Sequence, residues 1–213
     1  MNPLYVLKTV YNRLCKNEMP NKNSIDIMEH LPTLYKYAKE CNSILETGVR
    51  GCISSWSFLY GFVDSENGDT KRLFLNDIDV CDVNDIIALG NIFNVDVKFK
   101  WCNNLELNLD QTYDITFIDT WHIYGQLKRE LDKFSKITNK YIIMHDTQVD
   151  EIHGESIRLG CDVNLQSMQS GFPVEEITKG LGPAVDEFLQ NNKEWYLKER
   201  YLNNNGLTIL ARR

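Results

Sequence analysis

The chain has 213 residues, which is enough for one α/β domain with some additional helices. Hydrophobic residues make up 43% of the chain and charged residues 25%, so it can bury a substantial core and is not expected to be disordered. The formal net charge of −7 excludes the class of proteins that bind a nucleic-acid backbone through a basic surface.

The cysteines and the apolar runs bear on the compartment. Six cysteines are present, without a Cys-x-x-Cys pair or the Cys/His spacing of a zinc site. We interpret several of them as small buried thiols in a reducing compartment. The segment from Met1 to Leu14 is too interrupted by polar residues for a signal peptide, and no apolar run reaches the length of a membrane span. We expect a cytoplasmic protein with no membrane partner.

Residues 1–40 are predicted to form an N-terminal helical cover. The apolar spacing in LYVLKTVYNRL indicates an amphipathic helix. A second helix is expected in IDIMEHLPTLYKYAKE, with Ser24 as its cap and a kink or interruption at Pro32. The cover is interpreted as packing on the sheet, and a lid or a homodimer arm is the alternative.

The segment SILETGVRGCISSWSF predicts a strand, a tight turn and a helix. The strand covers Ser43 to Glu46, the turn lies at Gly48 to Gly51, and the helix begins at Ile53. Glycines at such a turn let backbone N–H groups and the helix N-terminus approach a ligand closely. The alternative is an ordinary connection between a strand and a helix.

The next strand, RLFLNDIDV, ends in the acids Asp77 and Asp79. An acid at the end of the second strand of a doubly wound sheet commonly accepts hydrogen bonds from ribose hydroxyls. DVNDIIALGNIF predicts a helix capped by Asp82 or Asn84, and VDVKFKW predicts a third strand. The residues at the end of that strand are placed to border an adenine ring: Trp101, Cys102 and Asn103.

The most informative stretch runs from Tyr113 to Thr147 and predicts a right-handed βαβ unit. A buried strand ends before Asp119, Trp121 and His122, a helix begins near Trp121, and a second buried strand ends in HDT. Ligands collect beyond the carboxyl ends of such strands. The carboxylate of Asp119 and the imidazole of His122 follow one strand, and Asp146 follows the next. This arrangement predicts a metal site with a general base beside it.

Other interpretations of these polar residues remain open. Asp119 could cap the following helix, and His122 could be a surface residue at the start of that helix. His145 is a third metal ligand or a packing residue. His153 lies in a later loop, where most histidines are solvated, although it could reach the pocket.

The last third of the chain is less regular. Residues 149–182 predict a loop-rich insertion over the strand ends. A helix opened by Pro183 follows, then two strands joined by Asn203 to Gly206, which is a strong hairpin signal. The predicted fold is α/β, with a doubly wound, mostly parallel sheet and an antiparallel C-terminal strand.

Four segments, ILETGVRG, LFLNDID, YDITFIDTWH and YIIMHDT, together resemble class I S-adenosylmethionine-dependent methyltransferases. Among these, the chain is most similar to small O-methyltransferases related to the catechol and macrolide-sugar enzymes and to the cephalosporin hydroxylase-like set. The resemblance covers residues 40 to 213 and implies a seven-stranded Rossmann-like sheet in a methyltransferase domain at 41–213. It also implies methyl transfer from S-adenosylmethionine to a hydroxyl of a sugar or other small molecule.

The resemblance also implies roles for individual residues. It assigns the methionine part of the cofactor to Glu46 and Gly48, and the ribose to Asp77, with Gly51 as a further cofactor-binding residue of the turn. Further cofactor contacts are implied for Asn103 near the adenine and for Asp119 and Trp121. A divalent, magnesium-like ion would bind Asp119 and Asp146, and His122 would be the base, with Asp119 beside it as a catalytic residue.

The sequence departs from the family pattern at two positions. Cys52 stands where relatives usually carry the last glycine of the turn, with Gly51 shifted by one. Thr147 stands where metal-dependent relatives have Asn or Asp, which removes a strong ligand. The alternative functions are a hydroxylase-like reaction on the same scaffold and a non-catalytic protein that has kept the sheet.

Overall fold

The computed structural model describes residues 2–18 and 26–213. Its strands form one seven-stranded sheet in the order β3-β2-β1-β4-β5-β7-β6. β1 is parallel to β2 and β2 to β3, whereas β7 is antiparallel to both of its neighbours. The predicted doubly wound, mostly parallel, Rossmann-like sheet is confirmed. Its strands are β1 (Ser43–Thr47), β2 (Lys71–Asp77), β3 (Val95–Trp101), β4 (Tyr113–Ile118), β5 (Thr138–His145), β6 (Trp195–Tyr201) and β7 (Leu207–Arg212).

α-Helices connect most of the consecutive strands and flank the sheet. β1 and β4 are buried along their whole lengths, as expected for strands covered on both faces. The α-helices are α1 (Pro3–Cys15), α2 (Leu31–Lys39), α3 (Ile53–Val63), α4 (Asn84–Ile92), α5 (Tyr124–Phe134), α6 (Glu155–Arg158), α7 (Val163–Ser170), α8 (Val174–Thr178) and α9 (Leu181–Asn191).

Contacts between residues group the chain into two compact units, Met1–Phe117 and Ile118–Arg213. In the first unit, α1 and α2 pack on α3. One tyrosine from each helix joins a cluster of rings with centroids 5.0 to 5.5 Å apart: Tyr11, Tyr35 and Tyr60. Such aromatic contacts add stability beyond the area they bury.

The second predicted helix is shorter than expected. It begins at Leu31, so Pro32 lies in its first turn, where a missing N–H costs nothing. The predicted cap, Ser24, lies outside the described residues. The helix α4, for which Asp82 or Asn84 was the predicted cap, has Val83 at its N-cap without a side-chain hydrogen bond, and the Asp82 carboxylate accepts from Asn84 N–H at 3.2 Å.

The connection from β3 to β4 differs from those on either side. Residues 102–112, all of which the structure describes, contain a 3₁₀ turn at Asn104–Glu106 and no α-helix. A groove of about 620 Å³ lies along β2 and β3 beside this connection. Its charged lining has both signs: Arg72, Asp96, Lys98, Lys100, Glu106 and Asp110. The outward side chains of β3, at Asp96, Lys98 and Lys100, are exposed.

In the second unit, the predicted loop-rich insertion is wrong in one respect, because it contains the short helices α6, α7 and α8. α9 begins at Leu181, two residues before Pro183. The predicted hairpin is confirmed as the antiparallel pair β6–β7, and a bulge interrupts its register between Leu197 and Glu199.

Two further observations concern the exposure of the cysteines and the length of the helices. Cys41 and Cys52 are buried as predicted, whereas Cys161 is exposed. Among residues 2–18 and 26–213, no helix has the length and apolar character needed to cross a membrane.

Candidate active site

The first group of predicted site residues surrounds the turn between β1 and α3. Gly48 has φ of 85°, a conformation that only glycine adopts without strain. Cys52, at the N-cap of α3, also has a left-handed conformation with φ of 59° and is buried. Cys52 therefore has a backbone conformation that favours glycine, at a cost of roughly 1–2 kcal/mol for a residue with a side chain. Gly51 has no positive φ.

Asp77 organises this turn. Its Oδ2 accepts hydrogen bonds from the N–H groups of Val49 and Arg50, both at 2.8 Å, and its Oδ1 accepts from Asp79 N–H at 2.9 Å. Gly48 N–H donates to the carbonyl of Asn76 at 2.9 Å. Successive backbone N–H groups form a concave site for an anion, and here the anion is a side chain of the neighbouring strand. A carboxylate oxygen keeps further acceptor capacity, so Asp77 can also receive a ribose hydroxyl.

Glu46 lies at the end of β1 and is fully buried. Its carboxylate accepts hydrogen bonds from the hydroxyls of Ser54 and Ser55, the latter at 2.7 Å. Both serines are in the first turn of α3, where the helix dipole favours a negative charge. This network fixes Glu46 beside the glycine turn.

Asn103 follows β3. Its side-chain oxygen accepts from Leu105 N–H at 3.0 Å and so caps the short 3₁₀ turn. The neighbouring Trp101 is 62% exposed and donates its indole N–H to the carbonyl of Ile78 at 2.7 Å. Among these first-unit residues, the structure brings Gly48 and Asp77 together through the turn amides.

The second group lies in the other unit and consists of Asp119, His122, His145, Asp146, Asp150 and Glu155, which we name the acid–histidine cluster. Asp119 and His122 both precede α5, which begins at Tyr124 and not near Trp121. The N-cap of α5 is Ile123, without a side-chain hydrogen bond, so the alternative interpretation of Asp119 as a helix cap is wrong. The two side chains meet through the shape of the loop, not through helical spacing.

His122 lies between two pairs of carboxylates. Its Nε2 is 3.1 Å from Asp119 Oδ1 and 3.3 Å from Asp146 Oδ2. Its Nδ1 is 3.3 Å from Asp150 Oδ2 and 3.2 Å from Glu155 Oε2, although neither contact has the angles of a hydrogen bond. The His122 residue is only 6% exposed, so the alternative interpretation of a surface histidine is wrong.

His145 is the last residue of β5, and Asp146 follows it directly. His145 Nδ1 is 3.2 Å from Asp146 Oδ2 and 3.5 Å from Asp119 Oδ1, while its Nε2 is 3.2 Å from the carbonyl of Asn204. Asp146 has φ of 56°, which is uncommon outside glycine, and such strained residues concentrate at functional sites. The Thr147 hydroxyl accepts a hydrogen bond from Thr208 at 2.8 Å and belongs to the packing of β7.

Asp150, Glu155 and Arg158 were not predicted as site residues. Asp150 is fully buried and is held by Arg158, whose Nε and Nη2 donate to its two oxygens at 2.7 and 2.8 Å. The sequence feature that could have pointed to Asp150 is its position four residues after Asp146. In the structure, the N–H of Asp150 donates to the carbonyl of Asp146 at 3.1 Å. His153, by contrast, is exposed, and its backbone bridges to Lys179.

Burial and charge set the pKa values of the cluster. Burial opposes the shift at His122, but contacts with Asp119, Asp150 and Glu155 outweigh it and hold the pKa of His122 well above its ordinary value. Burial likewise opposes the shift at His145, where Asp119 and then Asp146 raise the pKa to about 10. The pKa of Asp119 is lowered by His145 and His122 against the effect of burial. The surrounding carboxylates therefore favour the protonated form of both imidazoles.

Trp121 contacts the insertion. Its indole N–H donates to the Ser156 hydroxyl at 3.2 Å, and its ring meets Phe172 edge-on with centroids 5.7 Å apart. These contacts attach α6 and the segment before α8 to the loop that carries Asp119 and His122.

Two sets of side chains in the described residues have metal-ligand geometry. In each set the potential ligand atoms lie within 4.8 Å of one another. One set is Asp119, His145 and Asp146, and the other is His122, Asp150 and Glu155. The first contains both predicted metal ligands, so the donor set fits a divalent cation.

Solved structures of similar shape place this fold among known proteins. O-methyltransferase TomG from Streptomyces achromogenes, solved with S-adenosylmethionine, has a TM-score of 0.56 and 12% identity, with 100% of this chain and 90% of that chain covered. An O-methyltransferase from Bacillus cereus in complex with S-adenosylhomocysteine has a TM-score of 0.55 and 13% identity, with 100% of this chain and 91% of that chain covered. The fold is that of class I methyltransferases.

A third structure shows the range of acceptors found on this fold. N-methyltransferase NodS from Bradyrhizobium japonicum, with S-adenosylhomocysteine, has a TM-score of 0.53 and 11% identity, covering 97% of this chain and 98% of that chain. No family model matches the sequence, and no curated protein matches it. Since unrelated functions share folds, the reaction must be inferred from the site.

Proposed function

We propose that the chain is a cytoplasmic S-adenosylmethionine-dependent O-methyltransferase that acts on a hydroxyl of a sugar or other small molecule. The observation that carries this proposal is the acid–histidine cluster, in which Asp119, His122 and Asp146 converge within 3.1 to 3.3 Å. A fold shared with proteins solved with the methyl donor or its product supports the choice of cofactor.

The turn after β1 is the proposed site for the donor. Gly48 and Gly51 would allow close approach of its methionine part, with Glu46 nearby, and Asp77 would accept hydrogen bonds from the ribose. Asn103 is proposed near the adenine, with Asp119 and Trp121 as further contacts. S-adenosylmethionine supplies an activated methyl group on a sulfonium.

The acid–histidine cluster would activate the acceptor. An alcohol is a poor nucleophile at neutral pH, so its proton must be removed as its oxygen attacks the methyl carbon. We propose a divalent cation between Asp119 and Asp146, and His122 as the base that takes the proton. His122 must be neutral for this role, and two carboxylates shared with a cation would hold its proton less strongly than two free ones.

The test has two steps. Calorimetric titration of the full chain with S-adenosylmethionine should show binding, and absence of binding at millimolar concentration would favour the non-catalytic alternative. A panel of sugars and small alcohols is then screened by mass spectrometry for a transferred methyl group. With the acceptor found, His122→Asn should lower turnover by about 10²–10⁴-fold while donor affinity changes only a few-fold.

A matched control uses the exposed histidine. His153→Asn removes an imidazole of the same unit that lies outside the cluster, and it should keep parental turnover. If His122→Asn keeps parental turnover on a true acceptor, another group is the base. If an oxidised product forms in place of a methylated one, the hydroxylase-like alternative is correct.

A further inference from the structure

Asp119, His145 and Asp146 form a mixed set of ligands with one nitrogen and two oxygens. His145 Nδ1 lies 3.2 Å from Asp146 Oδ2 and 3.5 Å from Asp119 Oδ1. Two ligands bound about 2.1 Å from one ion, at angles between tetrahedral and octahedral values, lie about 3.0–3.4 Å apart. The separations seen here, 3.2 and 3.5 Å, are close to that range.

The orientation of His145 is fixed from its other side. Its Nε2 lies 3.2 Å from the carbonyl of Asn204, which can only accept, so Nε2 carries a proton and Nδ1 faces the two carboxylates. This is the arrangement of metal-binding histidines, whose second nitrogen usually donates to a carbonyl or carboxylate. His145 is 2% exposed, so the ring cannot turn into solvent.

Thr147 does not compete for the third position. Its hydroxyl accepts from Thr208 at 2.8 Å, and both residues are 3% exposed. The Thr147 hydroxyl is therefore engaged with β7, and His145 offers a nitrogen on the other side of Asp146 in the chain.

We propose that His145 is a ligand of the cation and makes this site selective for a first-row transition ion, such as Fe²⁺, Co²⁺ or Zn²⁺, over Mg²⁺. Mg²⁺ prefers oxygen ligands and retains its water, whereas imidazole suits the later divalent ions. The ion replaces the proton on Nδ1, as binding to any imidazole requires. The role of the ion in this inference rests on the proposed function. The inferred transition ion takes the place of the magnesium-like ion that the resemblance implies.

The experiment measures metal binding without donor or acceptor. The full chain is freed of metal with a chelator and then titrated with Co²⁺ and with Mg²⁺, with affinity measured by calorimetry and Co²⁺ ligation by visible absorption. Most sites bind later metals more tightly than Mg²⁺, so the decisive comparison is between variants. His145→Asn offers an amide in place of the imidazole, and His153→Asn is the matched control.

The expected result is a loss confined to one variant and one class of metal. His145→Asn should bind Co²⁺ about 10–100-fold more weakly and change its absorption spectrum, with Mg²⁺ affinity altered only a few-fold. His153→Asn should match the parent. Parental Co²⁺ affinity and spectrum in His145→Asn, or an equal loss in His153→Asn, would overturn the proposal.

Two further measurements keep the outcomes distinct. If circular dichroism shows His145→Asn to be unfolded, nitrogen NMR of the parent protein decides, because Zn²⁺ must shift Nδ1 of His145 more than Nε2. Donor binding is measured separately. Co²⁺ binding through His145 without S-adenosylmethionine binding would refute the function and leave the metal site, and the reverse would refute the metal site alone.

Discussion

The cation-free acid–histidine cluster should make the protein less stable at alkaline pH. His145 has its pKa raised to about 10 in the folded state, compared with an ordinary value of 6.5 in the unfolded chain. A raised pKa contributes stability that is fully present below pH 6.5 and is lost as the pH rises through 10. The folded protein therefore holds more protons than the unfolded chain between these values, and its free energy of unfolding falls with pH.

The magnitude follows from the proton difference. One extra proton in the folded state lowers the free energy of unfolding by about 1.4 kcal/mol per pH unit. His122 contributes with the same sign, but the two imidazoles share Asp119, so their effects do not add fully. We expect a loss of about 2–3 kcal/mol between pH 7 and pH 9, which is a large part of the stability of an ordinary domain.

Urea unfolding at pH 7, 8 and 9, with a chelator present throughout, measures this loss. His145→Asn should have a flatter pH dependence than the parent by about 1 kcal/mol per pH unit, whereas His153→Asn should have the parental slope. Comparing variants cancels the titration of cysteine, tyrosine and lysine. Equal slopes in the parent and in His145→Asn would show that the carboxylates do not hold a proton on His145.

Two further predictions concern the first unit. Asp77→Ala removes the acceptor for two turn amides and the proposed partner of the ribose. Calorimetry should therefore show that binding of the methyl donor is weakened by about 1–3 kcal/mol. Unchanged affinity would show that Asp77 is not part of the donor site. Gly61→Ala would place a methyl group 2.6 Å from both Ala38 Cβ and the Tyr35 carbonyl oxygen. Thermal unfolding should therefore show that the free energy of unfolding falls by about 1–3 kcal/mol, despite the better helix propensity of alanine. Gly68→Ala, with no neighbour within 4 Å of the new methyl group, is its control, and equal stability of the two variants would contradict the packing of α2 on α3.

The sheet and the first contacts of the site could be predicted because they depend on local patterns. The buried runs of β4 and β5, separated by one amphipathic helix, are enough to predict parallel neighbours. Once those strands are neighbours, Asp119 and Asp146 must emerge at the same edge. The glycine turn followed from Gly48 in the same way.

The remaining parts of the site depend on contacts that local patterns do not reveal. The predicted helix start near Trp121 is wrong because Ile123 is buried in an extended conformation and Tyr124 N–H donates to the carbonyl of Lys179. Asp150 and Glu155 reach His122 only through the path of the chain after β5. The helices α6, α7 and α8 have only 4, 8 and 5 residues, which is too short to show a clear helical period in the sequence or to be stable alone in water.

The two edges of the sheet bear on how the protein behaves at high concentration. An edge strand exposes unpaired N–H and C=O groups that can recruit a second chain and start aggregation. β3 has charged side chains along its outward side at Asp96, Lys98 and Lys100, and β6 has a bulge between Leu197 and Glu199. Both features disfavour strand addition, so neutralising Lys98 and Lys100 together should make association through the β3 edge more favourable.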